Sequence, residues 1–344
     1  MVTNNIIKNT ERLKEYLSHS SNRPDEYYFV KTDNAFTRKA RLLQALHRKL
    51  SGAACGSFVR QGITYFHPNL AKDGEKSGCN FLRTDIFEYA KERIRNKKSY
   101  ETIEEDRLFN NFLSSQPMAF NLFVPLMKIV KTNEEQIQLA SVVSSLLDPQ
   151  RKIGIHRIVE VGLEFIPDYY SECLNDKTAM DAFFRYERVD GGKGIIAIET
   201  KYTDKLGTNQ ASNPTLAIKT VTTRVGISEL FTAIGKEQII SGKILLCQIY
   251  RNFLLTETVR LHENLVDSLS VVLAPKDNTS NDEDEKELEN ILCNENKYKF
   301  KVLTLETFVS FLIDKFTEEE AFKKFWYRYL DFTPVETLLN SRNI

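Results

Sequence analysis

Three residues within a short stretch, Asp181, Glu199 and Lys201, could together carry out metal-assisted chemistry on a phosphate ester. Glu199 and Lys201 lie two residues apart near the end of the apolar run 194–202 (GIIAIETKY). On a strand, residues two apart project from the same face of the sheet. The sequence therefore predicts two charged side chains at the point where an otherwise buried strand ends.

The segment before this run supplies the third residue. Residues 180–189 (MDAFFRYERV) alternate and are rich in aromatic side chains, and residues 190–193 (DGGK) form a strong hairpin-turn signal. Antiparallel pairing through this turn would place Asp181 within about two positions of Glu199. A slip of one residue would turn Asp181 to the other face, so the register that unites the two acids is itself a prediction.

These residue types suit a divalent cation. Two carboxylates about 4 Å apart repel each other by roughly 4 kcal/mol at an effective dielectric constant near 20, and a cation would offset that cost. Oxygen ligands favour Mg²⁺ (or Mn²⁺), which can acidify a bound water and polarise a phosphodiester. Lys201 could hold that water or stabilise the charge that develops on the phosphate. The alternative is a surface hairpin with an ordinary Glu–Lys pair.

The surrounding elements predict an α/β fold with a mixed central sheet. From residue 100 onward the patterns indicate a helix, three strands, a helix, a strand, a helix, a strand and a helix. Residues 1–130 look mainly helical, with a loop and a short strand within 51–80 and helix breaks at Pro117 and Pro125. We therefore expect a mainly helical N-terminal extension over 1–100, and a core with C-terminal helices over 101–344.

Composition excludes several classes of protein. The 47 Lys and Arg residues balance 47 Asp and Glu residues, which argues against a uniformly basic nucleic-acid-binding surface but allows a local basic groove. The five cysteines are scattered, and the histidines show no zinc-binding spacing, so structural zinc and a disulfide framework are not expected. A polar N-terminal segment and the lack of a long apolar run predict a cytoplasmic protein without a membrane partner.

Three ordered blocks carry a resemblance to a known family. The stretch DKTAMDAFFRYERVDGGKGIIAIETKYTD resembles the Asp…Glu-x-Lys hairpin of the PD-(D/E)xK nuclease superfamily. Residues 104–126, and a Gln-x-x-Arg helix over 248–255, are similar to further blocks of a bacterial family within it that is described as restriction endonuclease-like. The usual Pro-Asp pair is absent, and Met180-Asp181 stands in its place.

The resemblance implies a restriction-endonuclease-like core of helix, three strands, helix and strand. Asp181 and Glu199 would bind the metal together with the backbone carbonyl of Thr200, and Lys201 would be the catalytic lysine. An auxiliary carboxylate would come from one of two glutamates, although a solvated or hydrogen-bonded side chain is the alternative for both. These glutamates are Glu164 and Glu105.

Further residues could contact the substrate. Gln248 and Arg251 share one helix face and could reach phosphate, or they could fix that helix to the sheet. Gln116 could line the cleft or cap a helix break. The resulting hypothesis is a metal-dependent nuclease, acting on DNA and able to form a homodimer. The alternatives are a non-catalytic nucleic-acid- or protein-binding module on the same fold, and metal-dependent chemistry on another phosphate ester.

Overall fold

The computed structural model describes residues 33–60, 62–203, 214–280 and 282–336. The chain divides into two compact units. Of the described residues, the first unit comprises those within 33–95, 104–121 and 318–336, and the second comprises those within 96–103 and 122–317. The division predicted at residue 100 stays a prediction.

The first unit combines helices with a small antiparallel sheet. Its elements are α1 (Ala35–Leu50), β1 (Cys55–Arg60), β2 (Ile63–Ala71), α2 (Gly74–Ser77), α3 (Thr84–Arg95), α4 (Glu105–Asn110), the start of α5 (Ser115–Ile129) and α12 (Glu320–Tyr329). Helix α1 begins where the Asn34 side chain accepts a hydrogen bond from the Thr37 amide at 2.7 Å. The prediction of a loop with one short strand over 51–80 was wrong, because β1 and β2 pair there as a hairpin.

The predicted helix breaks at the two prolines were also wrong. Helix α4 ends at Asn110 and α5 begins at Ser115, so the break falls before both prolines. Pro117 lies in the first turn of α5, where a backbone N–H has no partner within the helix. Pro125 lies inside α5, and the helix continues past it to Ile129.

The second unit is built on a five-stranded mixed sheet. Its strands are β3 (Ile155–Phe165), β4 (Met180–Arg188), β5 (Lys193–Thr200), β6 (Asp267–Ala274) and β7 (Phe300–Thr304). Its helices, after the end of α5, are α6 (Asn133–Leu147), α7 (Pro214–Thr223), α8 (Ala233–Ile240), α9 (Gln248–His262), α10 (Asp282–Ile291) and α11 (Leu305–Lys315). The spatial order is β3-β4-β5-β6-β7, antiparallel up to β5 and parallel beyond it. This architecture confirms the predicted α/β fold with a mixed sheet.

The hairpin that joins β4 to β5 forms where the sequence predicts it. Gly191 adopts a φ of 82°, which L residues rarely tolerate, and the Arg188 amide donates to the Gly192 carbonyl at 2.8 Å. Gly194 faces Tyr186 across the two strands. A Cβ at Gly194 would lie 2.2 Å from the Tyr186 ring, so only glycine allows the strands to pack this closely.

Apolar side chains cover both faces of this sheet. On one face Phe183, Ala197 and Val272 pack with residues of α9 such as Phe253. On the other face Phe184 packs against Phe123 of α5, with ring centroids 5.9 Å apart. The sheet is therefore buried between helical layers, and Asp181 and Glu199 lie near the ends of their strands. Within the described part of the chain, every helix is too short or too polar to traverse a lipid bilayer.

Candidate active site

The register of the hairpin brings two acids face to face. Ala182 pairs with Ile198 and Phe183 pairs with Ala197, so Asp181 on β4 comes level with Glu199 on β5. Directly opposed residues of antiparallel strands project from the same face. This is the register that the sequence analysis required, and it places both carboxylates at the same end of the hairpin.

Glu199 and Lys201 form a buried ion pair. The Lys201 Nζ lies 2.5 Å from Glu199 Oε1, and both residues are at most 4% exposed. Lys201 Nζ also donates a hydrogen bond to Gln248 Oε1 at 3.0 Å. Gln248 is the first residue of α9, so this helix also holds the ammonium group.

Asp181 is anchored by the residue that separates Glu199 from Lys201. The Thr200 amide donates to Asp181 Oδ2 at 2.8 Å, and the Thr200 hydroxyl donates to the same oxygen at 2.9 Å. Both bonds use Oδ2, which leaves Oδ1 as the oxygen able to face a cation. The Asp181 side chain is only partly buried, so the site opens toward solvent on its side.

The electrostatics of the site disfavour a free Glu199 carboxylate. Burial, followed by the charge of Asp181, raises the pKa of Glu199 to about 7, although Lys201 and Asn252 stabilise the charged form. An acidic residue with a strongly shifted pKa at the end of a strand is typical of a functional site, because burying a charge that has no function is energetically costly. A divalent cation between the two acids would relieve the repulsion that this pKa reflects.

Asn252 is a contact that the sequence analysis missed. Its Nδ2 donates a short hydrogen bond to Glu199 Oε2. Asn252 lies four residues after Gln248, so both side chains point from one face of α9 toward the end of β5. The four-residue spacing is visible in the sequence. Only the packing of α9 on β5 shows that the Asn252 side chain reaches the Glu199 carboxylate.

Comparison with models of known protein families identifies the superfamily of this chain. Residues 31–331 match the model of the PD-(D/E)XK nuclease superfamily. The chain belongs to this superfamily. No curated protein and no solved structure matched the chain in the corresponding searches.

For a member of the PD-(D/E)XK superfamily, the relevant test is whether the residues of the site fit a metal ion. The donor set, two carboxylates from paired strands, suits a hard divalent cation. The side chains of Asp181 and Glu199 supply these oxygens, whereas the role of the Thr200 carbonyl stays a prediction. Within the described ranges there is no cluster of three or more His, Cys, Asp or Glu side chains arranged to hold a metal.

Glu164 is the auxiliary carboxylate candidate that the fold brings nearest in register. It lies between Leu163 and Phe165, which pair with the two neighbours of Asp181 on β4. Glu164 is buried and has a φ of 51°, an uncommon conformation for a residue within a strand. Glu105 and Gln116 belong to the other compact unit, so their roles stay predictions.

Arg251 is tied to the segment that leads into β4. Its guanidinium donates to Thr178 Oγ1 at 3.1 Å and lies 3.5 Å from Asp176 Oδ2. Both partners lie in the segment that leads into β4, a few residues before Asp181. These contacts favour the fixing role over phosphate binding for Arg251. In the same way Gln248 contacts Lys201, and its proposed contact with substrate stays a prediction.

Proposed function

We propose that this PD-(D/E)XK protein is a metal-dependent nuclease that hydrolyses phosphodiester bonds in DNA, with Asp181, Glu199 and Lys201 as its catalytic residues. The observation that carries the proposal is the convergence of these three side chains at one end of β5, with Glu199 and Lys201 in a buried ion pair and Asp181 level with them on β4. A neutral protein overall can bind DNA if the cleft alone carries the cation and the lysine.

Each residue has a separate task in this proposal. Asp181, oriented by Thr200, and Glu199, oriented by Asn252, would hold Mg²⁺ or Mn²⁺. The bound cation would supply Lewis-acid polarisation of the phosphodiester and a more acidic water. Lys201 would stabilise the charge that develops on the phosphate during attack by water.

The contact with Gln248 explains how Lys201 could change partners. In the structure the ammonium group is shared between Glu199 and the Gln248 carbonyl. If Glu199 held a cation, Lys201 would lose its carboxylate partner but keep its contact with Gln248. Gln248 would thus keep the ammonium group at the site, where a substrate phosphate could serve as its counter-charge.

The test is cleavage of defined nucleic acids by purified protein in Mg²⁺ and in Mn²⁺. Single- and double-stranded DNA and RNA of one sequence would be compared for the wild type, Asp181→Ala and Lys201→Ala. We expect metal-dependent cutting of DNA by the wild type, and a loss of at least a hundredfold in both variants with the fold intact. Lys193→Ala, an exposed lysine at the start of β5, is the matched control and should cut normally.

The outcomes separate the alternatives left by the sequence. Binding of DNA without cutting, in any divalent metal, would support the non-catalytic module instead. Cutting that persists in Lys201→Ala at the wild-type rate would refute the assignment of the catalytic lysine. Cleavage of RNA in preference to DNA would support metal-dependent phosphodiester hydrolysis but refute DNA as the substrate.

A further inference from the structure

A small cavity beside Glu199 is lined mostly by apolar side chains, with three polar residues among them. Its lining includes Glu199, Asn252 of α9 and Ser270 of β6, together with apolar side chains. All three polar residues are at most 6% exposed. The cavity offers about 10 Å³ to the centre of a water molecule, which is close to the space that one internal water needs.

Two polar atoms around this cavity lack hydrogen bonds to any residue that the structure describes. They are Asn252 Oδ1 and Ser270 Oγ. Buried polar atoms are nearly always satisfied in folded proteins, by protein groups or by internal water. Because a hydroxyl can donate and an amide oxygen can accept, a single water between Ser270 and Asn252 would satisfy both.

The orientation of the Asn252 amide follows from these neighbours. A carboxylate only accepts hydrogen bonds, so the face of the amide toward Glu199 must be Nδ2. Oδ1 is then the amide atom that lacks a protein donor, and Asn252 lines the cavity. The acid therefore holds the Nδ2 side of the amide, and a water in the cavity could hold the Oδ1 side.

We propose that Asn252 is a positioning residue that orients the Glu199 carboxylate for metal binding, and that an internal water held with Ser270 fixes the Asn252 amide. The inference rests on the proposed metal-dependent function. Asn252 holds one oxygen of Glu199 in place, so only the other oxygen would have to move when a cation binds. Residues that hydrogen-bond to metal-binding carboxylates typically contribute 10- to 100-fold to metal affinity.

Calorimetric titration of the full chain with Mn²⁺ alone tests this role. Asn252→Leu keeps the approximate shape of the side chain but removes the donor, and we expect Mn²⁺ affinity to fall about 10- to 100-fold. Asn252→Ala, which removes the donor without adding bulk or charge, should show the same loss if Asn252→Leu fails to fold. Ser270→Ala should weaken binding in the same direction but less, because the Nδ2 contact remains.

The matched control is Thr256→Val, one turn further along α9. Thr256 is as buried as Asn252, and its hydroxyl bonds to the Asn252 backbone carbonyl without touching either acid. We expect Thr256→Val to alter thermal stability but not Mn²⁺ affinity. If it weakens Mn²⁺ binding as much as Asn252→Leu does, general packing explains the effect and the positioning role is overturned.

The remaining outcomes distinguish this inference from the proposed function. If the wild type binds Mn²⁺, Glu199→Gln does not, and both Asn252 variants bind within twofold of the wild type, the positioning role alone is refuted. If the wild type binds no Mn²⁺ at millimolar concentration, the metal-dependent function and the positioning role fall together.

Discussion

The buried pair of Glu199 and Lys201 makes a quantitative prediction about the metal-free protein. The charged atoms lie 2.5 Å apart. At an effective dielectric constant near 20 their gross attraction is about 7 kcal/mol, and the cost of removing both groups from water offsets most of it. Losing one partner would leave the other as an uncompensated buried charge.

We therefore expect Lys201→Met to lower the free energy of unfolding by about 3 kcal/mol at pH 9, where Glu199 with its pKa of about 7 is charged in the wild type, because Glu199 would then face Asp181 with Asn252 as its remaining donor. Glu199→Gln should cost less, because Lys201 keeps Gln248 and gains an amide oxygen. The double variant should recover to about the wild-type value or exceed it, since replacing a buried ion pair by neutral groups is often neutral or stabilising.

The assay is urea denaturation of all four proteins in the presence of a metal chelator, followed by circular dichroism and by tryptophan fluorescence. The double-mutant cycle gives the coupling energy directly. Single variants that both unfold at the wild-type urea concentration would refute the reasoning, since an exposed or unformed pair contributes less than about 1 kcal/mol. A double variant less stable than either single variant would equally contradict it.

Three further predictions concern metal binding, pH dependence and the hairpin. Mn²⁺ at about 100 times its dissociation constant should raise the free energy of unfolding by about 2.7 kcal/mol in the wild type and not in Glu199→Gln, as measured by denaturation with and without metal. Burial and the charge of Arg328 lower the pKa of His47 to about 3, so the unfolded chain gains a proton below pH 6.5 that the folded chain does not. Stability should consequently fall by about 1–2 kcal/mol between pH 7 and pH 5, the ring being only partly buried, and His47→Gln should flatten that part of the pH profile. Gly194→Ala should destabilise by about 1–3 kcal/mol in the same assay, because its Cβ would lie within 2.2 Å of the Tyr186 ring.

Local sequence patterns were sufficient for the hairpin that carries the acids. The turn at residues 190–193 fixes the pairing, and the alternation of the flanking strands fixes which side chains share a face. The order of the strands after residue 100, with helices between them, also follows from local periodicity. These features depend on neighbours in sequence, so no tertiary information was needed.

The errors lie where tertiary contacts decide. The sequence of β2 contains Pro68 and reads as a loop, yet β2 pairs with β1 and packs against α1 within its unit. Pro117 reads as a break, yet a proline near the start of a helix costs little, because that N–H has no partner in any case. In both cases local propensity was weaker than the surrounding packing.

The inner side of the site could not be predicted for a related reason. Asn252 and Ser270 become neighbours of Glu199 only because α9 packs on the end of β5 while β6 runs parallel beside it. Charged residues can indicate a candidate site in a sequence, because burying a charge that has no function is energetically costly. Asparagine and serine are common throughout sequences and give no such indication. The groups that orient a catalytic carboxylate are therefore the part of an active site for which coordinates matter most, and Asn252 is the position in this chain where that principle can be measured.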